Sequence, residues 1–266
     1  MIKINKENYY SNEVNKQYMS VSLFKNFLKE YGGCEAKAMA KLKGEWTDAP
    51  NPAFLIGSYV HAWSEGKLDE FKAEHPEILS SRGATKGQLK KDFQIADKMI
   101  ATLDKDKLIN MVRKGEKEVI IAQELFGIPW KAQLDILGSN HFADLKTTRD
   151  FAKKYWNEFE GKKENFIEHY GYDIQMAIYA ELERLDARRG KHLMPHIIAV
   201  TKEDIPDKIV INMGTEFIEE TLLKVQLKLP RVVEVWRGQA EPERCECCDY
   251  CKSTKQLKKT VFWKDL

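Results

Sequence analysis

The chain has 266 residues, 43% of them hydrophobic and 32% charged, with a formal net charge of +2. That length suffices for one substantial core, or one core with a small appended module, and no apolar run approaches the roughly 20 residues of a membrane span. A balance so near neutrality excludes a uniformly basic surface, so any hold on polyanions must come from local clusters such as Lys86/Lys90/Lys91, Lys153/Lys154, Lys162/Lys163, Arg188/Arg189/Lys191 or Lys252/Lys255/Lys258/Lys259. The opening MIKINKENYY lacks the apolar stretch of a secretion signal, so a cytoplasmic protein is expected. In that compartment thiols stay reduced, and five cysteines read as metal ligands or bystanders rather than as disulfides.

Ser20 is placed to cap an amphipathic helix whose Leu23, Phe24, Phe27 and Leu28 form one stripe and which Gly32-Gly33 ends. Cys34 opens a second helical run to Lys43. Ala53–Leu68 reads as a third helix, on which Gly57, His61 and Glu65 recur every four residues and so share a face. A glycine there leaves room for another backbone or a ligand to approach. His61 also has a plain reading, a partly buried helix histidine beside a surface glutamate. Residues 71–82 read as irregular, Lys86–Leu103 as a sparsely apolar helix and Lys107–Lys114 as a short one.

Glu116–Leu125 is predicted as a strand turning at Gly127, with Glu116 and Glu118 both able to face whatever lies at its start. Ile128, Trp130, Ala132, Leu134 and Ile136 then alternate with Lys131, Gln133 and Asp135, which is the pattern of a strand with one apolar face. Gly138-Ser-Asn is a turn, and His141–Thr147 a second strand on which Asp144 and Lys146, two apart, leave the same face. The hairpin sets Asp135 opposite Asp144. Like charges facing across a ladder are destabilising, and a chain tolerates them when a cation sits between. From these three residues alone, half of a metal site and a solvated hairpin are equal readings.

Asp150–Trp156 is predicted as helical, Glu158–Asn165 as a charged connection and Phe166–Arg188 as one long helix with Gln175 and Tyr179 on its flank. His192–Thr201 and Lys208–Asn212 follow as strands, and Thr215–Trp236 as a helix that Pro230 kinks or breaks. This order of elements suggests an α/β domain with a mixed sheet.

Gly57-x(3)-His61-x(3)-Glu65, Asp135, Asp144-Leu-Lys146 and Gln175-x(3)-Tyr179 come in the order of the RecB-like branch of the PD-(D/E)XK nucleases, which the chain resembles from about Ser20 to Cys251. Asp144-Leu-Lys-Thr-Thr148 is most similar to the RecE-type exonucleases of phages and prophages. The resemblance implies an α/β PD-(D/E)XK nuclease core, a mixed central sheet flanked by helices, as a single domain over 1–266. Its N-terminal helices (20–68) and Cys-rich tail (241–266) would pack on that core. It implies Mg²⁺ or Mn²⁺ held by His61, Asp135, Asp144 and the Leu145 carbonyl. Lys146, its charged form disfavoured by burial, would orient or deprotonate the attacking water, with Glu65 as an outer partner of the metal or a salt-bridging residue. Gln175 would face the centre, and Tyr179 and Thr147 the substrate strand.

Cys245, Cys247, Cys248 and Cys251 crowd one polar segment. Some RecB-like nucleases, including those of CRISPR adaptation, hold a 4Fe-4S cluster with one early and three C-terminal cysteines. Cys34, Cys245, Cys248 and Cys251 occupy comparable positions. The tail departs from the wider C-x(2)-C-x(5)-C spacing and Cys247 is surplus, so zinc is the second expectation. The RecE-type resemblance further implies a metal-dependent exonuclease that digests duplex DNA ends 5′ to 3′ for phage recombination. It also implies a ring-like homo-oligomer, a RecT-like single-strand annealing partner and no membrane. The alternatives are a RecB-like nuclease of CRISPR adaptation or DNA repair with other polarity, and a non-catalytic DNA-binding module.

Overall fold

The protein is described by a computed structural model at residues 1–257, 260 and 262–265; Lys258 and Lys259 of the tail cluster lie outside the described residues. Seven α-helices precede the main sheet: α1 Asn12–Asn15, α2 Val21–Phe27, α3 Glu35–Lys43, α4 Pro52–Glu65, α5 Leu68–Glu74, α6 Lys91–Asp104 and α7 Lys107–Val112. The strands β1 Glu116–Leu125, β2 Ile128–Leu137 and β3 His141–Thr148 follow. A ribbon of β4 Tyr155–Asn157 and β5 Lys162–Glu164 leads to α8 Phe166–His169 and α9 Tyr172–Asp186. Then come β6 Met194–Thr201, β7 Lys208–Asn212, α10 Phe217–Trp236 and α11 Asp249–Ser253.

Five strands form one sheet in the order β1-β2-β3-β6-β7. Only β3 and β6 run parallel, since the chain between them is long enough for a crossover, while the other neighbours are antiparallel. Two hydrophobic cores result. One gathers Phe24, Trp130, Leu134, Ile178 and Leu229 from the sheet, α2, α9 and α10; the other gathers Tyr59, Met99, Leu103, Leu145 and Val200 from the sheet, α4 and α6. Helices therefore cover both faces, as burial of a sheet containing a parallel pair requires, and the expected mixed α/β architecture is what the chain forms.

Several local predictions are corrected. Residues 150–156 are not a helix, and the charged connection after them contains a strand: Tyr155 and Trp156 pair with Glu164 and Lys163. The tip of this ribbon is closed by the Asn157 carboxamide, which accepts from Phe159 N–H and Glu160 N–H, and by Gly161 at φ +62°. The helix predicted over 166–188 is broken at Gly171, where φ is +59°. The helix read as reaching Leu68 stops at Glu65 because Gly66 takes the left-handed conformation, and α5 occupies part of a stretch read as irregular. The helix expected from Lys86 starts at Lys91, and α10 runs through Pro230 without interruption.

Candidate active site

A cleft of about 1150 Å³ opens where α4, α9, β2, β3 and the N-terminal segment meet. Its floor follows from a local failure of the sheet. β2 and β3 pair at Ile136–Ala143 and Leu137–Phe142, and the ladder stops there. One residue further, the Asp135 carboxylate replaces a strand partner: its Oδ2 accepts from Leu145 N–H at 2.7 Å. The strands part around this side chain, and the gap exposes one end of β3 to the cleft.

α4 supplies the wall. Its start is fixed by Asn51, whose side chain accepts from Ala53 N–H, and by Pro52 in the first turn. Gly57, His61 and Glu65 then line the cleft as their four-residue spacing predicts. His61 Nδ1 lies 3.4 Å from Asp135 Oδ2. A methyl group at Gly57 would meet Thr147 Oγ1 at 3.7 Å, an ordinary contact, so packing does not compel the glycine and its effect is to keep that wall open. Glu65 pairs with Lys67 at 3.3 Å, and Thr147 and Tyr179 lie on the cleft lining.

Glu118 resolves the alternative that sequence left between two glutamates. The β1–β2 register places it across from Asp135, at φ +55°. Its Oε2 accepts from Gln133 Nε2 at 2.5 Å, and Tyr10 donates to Gln133 Oε1 at 3.3 Å. Glu116 is exposed at the strand's start. His61, Glu118 and Asp135 each present a donor atom, and these lie within 4.8 Å of one another.

Asp144 stands outside that trio. It is 2% exposed; Gln175 Nε2 donates to its Oδ1 at 2.6 Å, and the Lys146 ammonium lies 2.6 Å from Oδ2. The lysine contact is an ion pair without hydrogen-bond alignment, so the buried Oδ2 has no hydrogen-bond donor. Burial and the neighbouring Asp144 raise the Asp135 carboxyl to about 6, against the lowering influence of His61 and Lys146. Burial, with Asp135 and Glu65, raises Glu118 to about 8. Two crowded carboxyls that resist ionisation, beside a third with an orphaned oxygen, fit a divalent cation with hard oxygen donors. Leu145 lines the same cleft.

Lys146 departs from expectation. Burial works to lower it, but Asp144, followed by Tyr172 and Asp135, outweighs burial and holds the ammonium above its ordinary range. Lys146 also stacks 4.7 Å from the Tyr172 ring centre. Tyr9, Tyr10, Tyr170 and Tyr172 also line the cleft, and sequence reading missed all four. Tyr170 and Tyr172 flank the helix break, and Tyr9 is fixed by the buried Lys131, whose ammonium donates to the Tyr9 carbonyl and, at 2.7 Å, to Asn15 Oδ1. Lys131 had the pattern of a solvated strand residue; the N-terminal segment folds over it.

A second cluster lies at the start of α3. Cys34, Cys245, Cys248 and Cys251 bring their sulfurs within 4.8 Å of one another, while Cys247 is exposed and not one of the four. Cys34 Sγ is 3.6 Å from Cys251 Sγ, and Cys245 Sγ is 3.9 Å from it. Burial works against ionising Cys245, but the N–H groups of Cys247 and Cys248 outweigh it and bring the thiol down to about 6. A tetrahedral ion with roughly 2.3 Å bonds to thiolate needs sulfurs about 3.8 Å apart. The spacing fits such an ion; a cubane cluster would interpose four irons and push the sulfurs out of contact.

An aspartate and a lysine separated by one residue on a strand that splits from its neighbour at a second aspartate is the arrangement for which the PD-(D/E)XK class is named, and this chain has that fold. A family model described as "PDDEXK-like domain of unknown function (DUF3799)" matches residues 20–254, and the chain belongs to that family. A crystal structure of a presumed exonuclease from Eubacterium rectale is 38% identical and superposes with a TM-score of 0.91, covering 100% of this chain and 98% of the other. A further solved structure, of SSO0001, aligns at 14% identity over 80% of this chain and 100% of the other with a TM-score of 0.33. A comparison with curated proteins returns no match.

Proposed function

We propose that the protein is a divalent-metal-dependent nuclease, and specifically an exonuclease that digests one strand of duplex DNA ends from 5′ to 3′. The observation that carries the reading is the convergence of His61, Glu118 and Asp135 beside the Lys146–Asp144–Gln175 chain within one cleft. The relative's description as an exonuclease supports the same class. His61, Glu118 and Asp135 would hold Mg²⁺ or Mn²⁺, with Asp144 and the Leu145 carbonyl adjacent; a nitrogen donor suits Mn²⁺. The cation, when bound, supplies Lewis-acid stabilisation to a phosphodiester under attack. Lys146 acts as an ammonium: it orients the attacking water and meets developing negative charge. It is not the base while Asp144 holds its proton. Gln175 fixes the Asp144 rotamer, and Tyr179, its phenol kept protonated by burial, borders the strand path. Glu65 stays an outer residue tied to Lys67.

The RecE-type resemblance supports the finer statement: a cytoplasmic phage or prophage protein that makes single-stranded DNA for a RecT-like annealing partner and works as a ring-like homo-oligomer. The four thiols support a metal staple, and their spacing favours one tetrahedral ion, zinc, over a 4Fe-4S cluster. Among the described residues, no helix is long and apolar enough to cross a membrane.

Digestion of a duplex labelled separately at each 5′ and 3′ end, with and without Mg²⁺ or Mn²⁺, tests activity, polarity and metal need together. Early release of the 5′ label only with metal is expected. Release from the 3′ end would transfer the chain to the repair-type alternative, and no release under any condition would leave only a DNA-binding module. Asp144→Ala is expected to lose at least ~100-fold in cleavage rate while duplex binding stays measurable.

A further inference from the structure

The β4–β5 ribbon is not used by the chemistry above, yet it carries two large aromatic side chains in solvent. Trp156 is 59% exposed and Phe159 62%. The ribbon's inner face accounts for its attachment. Tyr155 stacks on His169 with ring centres 4.1 Å apart and planes at 11°, and Tyr170 donates to the Tyr155 hydroxyl at 3.3 Å. Asn157 Nδ2 donates to the buried Glu164 at 2.7 Å. A two-stranded ribbon is marginal alone, and these inner contacts with α8 hold it. None of them requires a tryptophan on the other face, and folding gains little from a ring left in water.

A cation neighbours the exposed ring, and others precede the ribbon. Lys163 is the residue paired with Trp156 across the ribbon, so the two side chains stand next to each other on the outer face. Lys153 and Lys154 precede the ribbon and are exposed, with Lys153 lying 4.6 Å from the Tyr155 ring centre. At the tip, Glu158 and Glu160 bracket Phe159, which repels phosphate there and leaves the lysine side as the path for a polyanion. The ribbon is continuous with the cleft, because Tyr170, which its inner face grips, lines the cleft wall, as does Arg149.

We propose that the β4–β5 ribbon is a stacking platform for unpaired nucleotides at the mouth of the cleft, with Trp156 against a base and Lys163 against its phosphate. Interleaved aromatic and cationic side chains are how proteins hold single strands without reading sequence, since every base has a π face. The inference rests on reading the cleft as a nuclease site and adds the route of the strand that enters or leaves it.

The test uses the full-length chain carrying Asp144→Ala, so that the strand is not cut, and measures fluorescence anisotropy of a labelled oligothymidylate of about ten nucleotides. Trp156→Ala in that background is expected to weaken binding roughly tenfold, in line with loss of one stacked base. Trp156→Phe should keep most of the affinity, a rescue that a merely structural role would not predict. Lys163→Glu should weaken binding and flatten its salt dependence. A Trp156→Ala variant that binds like the parent would overturn the proposal, as would a Trp156→Phe variant as weak as alanine. Wild-type digestion of labelled duplex, run alongside, separates the two readings: cleavage with a dispensable Trp156 sinks only the platform. Trp156-dependent binding by a wild-type protein that cuts nothing sinks the nuclease reading and leaves the platform.

Discussion

Asp135, Asp144 and Glu118 crowd together in a space where burial already disfavours charge, so each carboxylate formed makes the next harder to form. In the metal-free protein, Glu118 titrates near 8 and Asp135 near 6, both above their ordinary values. The folded state thus keeps protons that the unfolded chain has released. Its stability is expected to fall as pH rises from about 4 and to level off above about 8, once the folded form has ionised too. A divalent cation competes with those protons, so the Tm increase on adding Mn²⁺ should be larger at pH 8 than at pH 5.5. Glu118→Gln is the sharper test: without added metal it should raise Tm at pH 8, and it should shrink the Mn²⁺-induced shift. Thermal unfolding in the four conditions decides, and an unchanged Mn²⁺ shift would remove Glu118 from the ligand set. Asp135, Asp144 and Lys146 were legible from period-two alternation and the hairpin turn. Glu118 was not, because Glu116 shares its face on the same pattern. Only the register against β2, with a left-handed backbone at Glu118, brings one to Asp135 and leaves the other in solvent.

Gln175 reaches Asp144 only because α9 begins where it does, and that start depends on Gly171. The Lys25 ammonium donates at 2.7 Å to the Tyr170 carbonyl, which a continuous helix would commit to its own backbone, and reaches at 3.4 Å the Gly171 carbonyl, which also accepts from Gln175 N–H. A methyl group at Gly171 would stand 2.9 Å from both Lys25 Cδ and the Tyr31 ring, at a φ that L residues avoid. Gly171→Ala is expected to cost at least ~1 kcal/mol in urea unfolding and to lower cleavage through displacement of Gln175. A variant as stable as the parent would show that the break is set elsewhere. The apolar stripe from Ile167 to Leu185 read as one helix because its periodicity survives the interruption; the contact that breaks it comes from α2, some 140 residues earlier in the chain. The ribbon before it was unreadable for a related reason. Three-residue strands carry too little alternation to register, and their stability comes from α8.

Most of the architecture was written in local patterning: four separated motifs gave the PD-(D/E)XK order, and the structure assembles them around one cleft. The parts that close the molecule came from long-range contacts instead. Tyr9 and Tyr10 reach the cleft only because Lys131 is buried under the N-terminal segment. Glu35, in the first turn of α3, accepts from Arg231 Nε at 3.0 Å and Nη2 at 2.6 Å, and from Glu243 N–H at 2.7 Å. Ala36 N–H donates to the Glu243 carbonyl at 3.0 Å, next to the thiol cluster. The start of α3, α10 and the Cys tail therefore meet at one polar knot.

A thiolate-bound ion at that knot would tie chain segments more than 200 residues apart, and in such sites metal affinity becomes folding free energy. Cys34→Ala should reduce bound metal from on the order of one ion per chain to well below it, and lower Tm by several degrees, while the exposed Cys247→Ala should change neither. Elemental analysis of the wild-type protein, purified without oxygen, identifies the ion: zinc near one equivalent supports the single tetrahedral site, and about four irons the cluster. If Cys34→Ala keeps its metal, the tail alone binds it and the staple between chain ends does not exist. If the variant loses metal with an unchanged Tm, the Glu35–Arg231 knot holds the ends together without it.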